Sequence, residues 1–413
     1  MSSTYLISPA GHPNYGDELI AAAWLRHLAT SRPEDEVWLD CPNPGLATEL
    51  FHGIHPGLRV TNTLWRACWE APSDDPAVVM AHVAGLVTHL GSPAFDLGLE
   101  RLRQVDTLHF LGGGYLNDLW PIHAGLVAGA VAAKALSGAR LVGTGLSLVP
   151  ILRSSADDGA SSGAPFLDLL QTFDHLSVRD EPSAQAAGTT LGLDDAFLGV
   201  EEQLTRGLAR GGADLMVCLQ SDLQTPEHRA RVIESVERTV SRARDEGRTI
   251  QYVEAIPGID RPAYDALSHL IDPDCFVPFI SVWREGIPLR PDQTWLTTRF
   301  HLHFLAAAAG ASGTAIGVRD GFYDIKHQSL IALGSGWTYR DSSAGGDIAL
   351  PDHAPAAARF TSERRTRADS KRREADALYP VRPGPSPDRR GLAPSRIAQS
   401  LRGVMARDRP AAS

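Results

Sequence analysis

The sequence predicts an α/β protein made of two successive Rossmann-like lobes, each a parallel sheet wrapped by helices. Three observations carry this. Short apolar runs of strand character alternate with helix-like segments along most of the 413 residues. Several of the runs end in glycine, where a strand must turn tightly before a helix. The alternation also occurs twice, in halves joined by one charged segment, and a chain of this length suits two or three domains.

Taken in order, the first half places strands near "TYLIS", "EVWLD", "LRVTN", "TLHFLG", "ARLVG" and "HLSVR". After the first of these, "SPAGHPNYGDELIAAAWLRHL" turns at Gly11, Pro13 and Gly16. It then opens a helix with Asp17 at the N-cap and a buried stripe of Leu19, Ile20, Ala23, Trp24, His27 and Leu28. Asn14, in the same loop, has no packing explanation. "GVEEQLTRGLARGGAD" ends in Gly211-Gly212 just before a new strand and is read as a hinge over 199–212, after a first lobe over 1–198. The second lobe, 213–352, places strands at "DLMVCLQ", "TIQYVEA", "CFVPFI" and "TAIGV". In it "TTRFHLHFLAAAAG" reads as a buried helix with Thr297 or Thr298 as cap and His303 packed away from Arg299 and His301. From 353 onward a charged, helix-compatible stretch precedes a Pro/Gly-rich segment expected to be disordered. Residues 395–409 there form a basic amphipathic segment, a candidate for peripheral contact with an anionic membrane.

Composition excludes several classes. The net charge is −10, but residues 354–413 carry fourteen Lys/Arg against six Asp/Glu, so the body is strongly acidic. An acidic folded body argues against nucleic acid as the main ligand. The four cysteines lack metal or disulfide spacing, and the N-terminal stretch lacks the charge and apolar pattern of a signal peptide. A cytoplasmic location is expected.

Function is sought in the loops that follow the strands, since open parallel sheets bind ligands at their carboxyl ends. "TLHFLGGGYLND" puts three glycines after a strand, where the backbone can approach a ligand and the amides of a following helix start would favour an anion or a sugar hydroxyl. It is not the G-x-G-x-x-G of dinucleotide folds. "LVGTGLSLVP" repeats the theme, and "HLSVRDEPSAQAAG" places Arg179 and Asp180 directly after a strand.

In order, "NYGDE", "LGGGYLND", "GTGLS", "SVRDEPS", "LDDAFL", "TRFHLHFLAAAAG" and "GFYDIKHQSLIALG" resemble the motifs of the polysaccharide pyruvyl transferase family, over roughly residues 5 to 334. The resemblance implies a GT-B-like fold with the active site between the lobes. It also implies transfer of a pyruvyl group from phosphoenolpyruvate, as co-substrate, onto two hydroxyls of a sugar or lipid-linked glycan. His301 matches the family's R-x-H histidine and is assigned the proton transfers. Arg299, Lys326, His301 and Gln220 are assigned to the donor. Asn14, Asp17, Gly112, Gly113, Gly114, Asp118 and Arg179 are assigned to the acceptor, with Asp17 also joining Arg299 and His301 in catalysis. No metal and no further cofactor is expected. Where relatives often carry arginine after the first strand of the second lobe, this chain has Gln220, and Arg284 or Arg319 is the candidate replacement. The alternatives are a GT-B-type glycosyltransferase using a nucleotide sugar and a degenerate, glycan-binding homologue.

Overall fold

The computed structural model describes residues 2–153, 163–318, 323–341, 346–351 and 358–381. In the first lobe β1 (Ser3–Ile7), β2 (Glu36–Asp40), β3 (Leu58–Thr61), β4 (Thr107–Phe110), β5 (Arg140–Leu146), β6 (His175–Val178) and β7 (Thr190–Leu191) form one sheet, in the order β3-β2-β1-β4-β5-β6-β7. The second sheet contains β8 (Leu215–Cys218), β9 (Ile250–Val253), β10 (Phe276–Val277), β11 (Thr294–Thr297), β12 (Ser312–Ile316) and β13 (Thr338–Arg340), in the order β10-β9-β8-β11-β12-β13. Every pairing is parallel. Helices cover both faces, so central strands such as β4 and β8 are buried at every residue. This is the pair of Rossmann-like lobes expected.

Three strands were not legible in the sequence. β7 is two exposed residues, and β13 is three residues with an exposed Thr338, so neither has a buried apolar run to mark it. β11 is only "TWLT" and runs within two residues into the apolar helix Phe300–Ala309, which masks it. Its position is decisive, because in each sheet the strand order reverses once: between β1 and β4, and between β8 and β11. Ligands of open α/β sheets bind outside the carboxyl ends of strands at such reversals.

Residues 200–210 are a helix that buries Val200, Gln203, Leu204 and Gly207. A Cβ on Gly207 would lie 2.6 Å from the Ile287 carbonyl oxygen, so this connection is packed onto the second lobe. The charged stretch after residue 353 supplies the helix Ala358–Leu378, which ties the lobes together. Phe360 is fully buried with Phe197 and Phe304, while Arg364 donates to Glu201 at 2.7 Å and to the Ala308 carbonyl at 2.7 Å. Further along, Lys371 has no side-chain exposure and pairs with Asp195 at 2.5 Å and Glu374 at 2.8 Å. Burial pulls its pKa down, but those two carboxylates override this and hold it above the usual lysine range. The helix docks through ion pairs as much as through apolar contacts, so its sequence reads as a solvated surface. Residues 395–409 and Arg319 lie outside the described residues.

Candidate active site between the two switch points

The first wall of the site is the loop from β1 into the helix Tyr15–Ser31. Gly11 adopts φ +83°, and its N–H donates to the Glu18 carboxylate at 2.9 Å. Glu18 is wholly buried, and that burial pushes its pKa up to about 8. The helix begins three residues earlier than the sequence suggests: Asn14, not Asp17, is the N-cap, because its extended backbone (φ −123°, ψ 106°) precedes the first helical turn. The Asn14 amide donates to Asp17 at 2.8 Å, and both line the cavity between the lobes. Burial raises the Asp17 pKa, against the opposing pull of His301, Lys326 and Arg179.

The triple-glycine segment after β4 divides its labour. Gly112 does not face the cavity: its N–H donates to Asp195 at 2.8 Å, and a Cβ there would meet the Asp195 Cβ at 2.9 Å. Gly113 (φ +152°) bridges to Leu146 and lies against the Tyr115 ring. Only Gly114 lines the cavity, and a Cβ there would come within 2.9 Å of Lys326 Nζ and 3.3 Å of Arg179 Nη2. No helix starts directly after the glycines, since the next turns of helix are Pro121–His123 and Ala124–Ser137, so a helix N-terminus is not the anion donor here. Asp118 also departs from expectation. It is exposed and turned to the loop after β5, accepting from Arg153 N at 3.1 Å while its own N–H donates to the Pro150 carbonyl at 2.9 Å.

Arg179, just after β6, is buried and donates to Asp194 at 2.7 Å, with its guanidinium over the Phe300 ring at 4.6 Å. Assigned to the acceptor in the sequence, Arg179 lies beside Lys326 over the Gly114 bend. Burial pushes the Asp194 carboxyl up, but Arg179 and His301 overcome this and hold it well below the usual carboxylate range.

From the second lobe, β11 delivers Arg299 and His301. The helix cap is Arg299 itself, with φ −92° and ψ 119°, while Thr297 Oγ1 accepts the Arg299 N–H at 2.9 Å and Thr298 Oγ1 accepts the Gln220 N–H at 2.8 Å. The bend therefore falls one residue later than the threonines suggested. It lets residues two apart line one cavity, which a regular helix would prevent. Arg299 Nε donates to Asp260 at 3.0 Å and Nη2 contacts the same oxygen, while Ala255 N and Ile256 N donate to the other oxygen of Asp260 at 2.8 and 2.9 Å. Gln220 stands behind this pair, 3.5 Å from Arg299 Nη1 and 3.0 Å from Asp222 Oδ1. It braces the arginine from behind and is not among the residues that line the cavity. Arg284 is exposed on the helix Phe279–Glu285 and does not line the cavity either.

His301 crosses the cleft. Its ring lies so close to the first-lobe helix that a Cβ on Gly16 would be 1.8 Å from its Nδ1, and its Nε2 is 3.6 Å from Asp194 Oδ1. His303 is fully buried, its Nδ1 3.1 Å from His327 and its Nε2 3.0 Å from Ser335, so it packs as expected. Lys326, on the helix Tyr323–Ala332, sits over Gly114. Burial depresses its pKa well below the usual lysine range, with Arg179 and Arg299 adding to the effect and Asp17 and Asp180 opposing it.

The cavity encloses about 670 Å³. Its lining also contains groups without a role in the sequence reading: Trp65, Trp69, Trp120, His12 and His123. Trp65 and Trp69 are four apart on the helix Thr63–Trp69, a spacing that does not by itself separate a packed stripe from a cavity wall. Asp260 had no signal, and Asp194 and Asp195 stood in "LDDAFL" without an assigned part.

A family model described as polysaccharide pyruvyl transferase matches residues 14–254, more than half of the chain. The chain belongs to that family. The match begins at the Asn14 cap and takes in the triple-glycine turn, Arg179 and Asp194. As a polysaccharide pyruvyl transferase family member, the chain carries Arg299, His301 and Lys326 beyond the matched range, in the lobe facing those motifs. No curated protein matches the sequence. The chain is similar to a putative UDP-N-acetylglucosamine 2-epimerase from Listeria monocytogenes (12% identity, 99% of this chain and 98% of that one, TM-score 0.48). It is also similar to Acinetobacter baumannii MurG (10%, 92% and 99%, 0.44) and to Medicago truncatula UGT71G1 complexed with UDP-glucose (9%, 92% and 98%, 0.49). No helix among the described residues is long and apolar enough to cross a membrane.

Proposed function

We propose that the protein transfers the pyruvyl group of phosphoenolpyruvate onto two hydroxyls of one sugar in a surface-glycan precursor, forming a cyclic ketal and releasing phosphate. One observation carries the reading. Arg179, Lys326 and Arg299 converge with His301 around the Gly114 bend, beside Asp17, in a chain whose body is acidic. Such a concentration of cations suits a small ligand with a phosphate and a carboxylate close together, which guanidinium forks and an ammonium recognise through charge-assisted hydrogen bonds.

The atoms balance with the groups at hand. The methylene carbon of the enol ester takes one proton, the first sugar hydroxyl bonds to the adjacent carbon, and the second hydroxyl displaces phosphate from that carbon. Two hydroxyl protons are lost; one replaces the proton used at the methylene, and the other leaves with phosphate. His301, lying between Gly16 and Asp194, is the proton carrier. Asp17, whose pKa burial raises, hydrogen-bonds the acceptor with Asn14. The cation cluster stabilises the departing phosphate.

The test is direct. Purified protein is incubated with phosphoenolpyruvate and candidate glycans, and phosphate release is measured together with the mass of the glycan. The expected result is phosphate equal to the pyruvyl groups gained. Release that requires a nucleotide sugar instead would favour the glycosyltransferase alternative, and glycan binding without turnover of any donor would favour a degenerate homologue.

A further inference from the structure

The cations account for only part of a cavity of about 670 Å³, a size that suits a drug-sized ligand (roughly 300–1,000 Å³), far larger than phosphoenolpyruvate. Another part is aromatic. Trp65 and Trp69 lie on successive turns of the helix Thr63–Trp69 with ring centroids 6.0 Å apart. His123 abuts Trp65 edge-on at 4.7 Å and stacks with Trp120 at 6.3 Å and 12°. Trp65 and His123 are buried, and the His123 Nδ1 is tied to the Tyr115 carbonyl at 2.8 Å, so this base is rigid. Trp69, by contrast, is 47% exposed and Trp120 is partly exposed. Across the same cavity the second lobe contributes Leu223, Ile256 and Ile259.

Indole rings held on a rigid base at a cavity wall are characteristic of binding anchors. A phosphate or carboxylate gains nothing from them, but a pyranose offers a flat face of C–H bonds that an indole can cover, with hydroxyls around its edge. Polar groups for those hydroxyls stand in the same lining: His12, Asn14, Asp17 and Asn43. The reacting sugar must reach His301, so the indoles are left to a neighbouring ring. Resting on the pyruvyl-transfer reading for the identity of the acceptor, we infer that Trp69 and Trp120, backed by Trp65 and His123, form a stacking platform for a second sugar ring. The preferred acceptor is then a glycan of at least two rings rather than a free monosaccharide.

The full-length protein is titrated with glucose, galactose, mannose and a panel of their disaccharides, following tryptophan fluorescence and calorimetric heat; phosphoenolpyruvate and uridine diphosphate are titrated separately. At least one disaccharide should bind saturably, about tenfold or more tightly than its constituent hexose. Trp69→Ala and Trp120→Ala should each weaken that binding about tenfold, as loss of an aromatic binding anchor does. Trp69→Phe should restore most of the loss, and phosphoenolpyruvate heats should be unchanged in all variants. The inference is overturned if no disaccharide perturbs the fluorescence, if disaccharides bind no better than hexoses, if only uridine diphosphate responds, or if both alanine variants bind as the parent does. Disaccharide stacking without any phosphoenolpyruvate binding would leave the platform standing and sink the donor reading alone.

Discussion

Gly16 offers the sharpest separation of site geometry from fold stability. It is the second residue of the helix Tyr15–Ser31, where alanine would ordinarily be welcome: glycine within a helix is less favourable than alanine by up to about 1 kcal/mol. Here an added methyl would lie 1.8 Å from His301 Nδ1, 2.6 Å from its Cγ and 2.7 Å from its Cε1, closer than any contact the ring can tolerate. The ring must swing away from the first lobe, lengthening its 3.6 Å separation from Asp194 Oδ1. A displacement on the order of 1 Å in a catalytic group costs about a hundredfold in rate. Gly16→Ala should therefore fold with a stability within about 1 kcal/mol of the parent yet lose a hundredfold or more in pyruvyl transfer. Phosphate release measures the rate, urea denaturation the stability, and imidazole NMR the altered surroundings of His301. Turnover at the parent's level in a folded Gly16→Ala protein would refute the assignment of His301 against this helix.

Three further predictions follow from the charges. Lys326 has a depressed pKa in the folded state, so below its unfolded pKa the folded protein binds fewer protons than the unfolded chain and the lysine opposes folding. Lys326→Met should keep or raise the urea midpoint while weakening phosphoenolpyruvate binding about ten- to a hundredfold by calorimetry, the worth of one charged hydrogen bond; a lowered midpoint with unchanged binding would contradict this. Lys371→Met leaves Asp195 buried without its cation, and breaking such a pair costs about 3–5 kcal/mol, which should appear as a large drop in thermal midpoint. Glu18 carries a pKa of about 8 against an ordinary 4.5, so the folded protein retains a proton that the unfolded chain releases. Its contribution to stability is complete below about pH 4.5 and is lost as pH rises to about 8, on the order of a few kcal/mol in all. In Glu18→Gln the difference between denaturation midpoints at low and high pH should shrink accordingly, and an unchanged pH profile would contradict the burial argument.

Periodicity and punctuation carried the two lobes, the parallel sheets and the order of the loops, because each depends on residues close together in the chain. Arg299, His301 and Lys326 came forward as a group only through the resemblance of the motifs in their order to one family, and the fold brings the three to one cavity. Tertiary structure decided the rest. Asn14 rather than Asp17 caps the first helix, since the cap depends on where the backbone turns helical. Of three identical glycines only Gly114 meets the cavity, because Asp195, eighty-three residues away from Gly112, claims the first of them. Asp260, which holds Arg299, gave no sequence signal, since the two meet only when the loops after β9 and β11 are brought together. Likewise Lys371 reads as one more charge on a solvated helix until that helix crosses to the first lobe and buries it. Local sequence determines which backbone forms a residue prefers, whereas a charge is made into a site only by the distant partners and the desolvation that folding imposes on it.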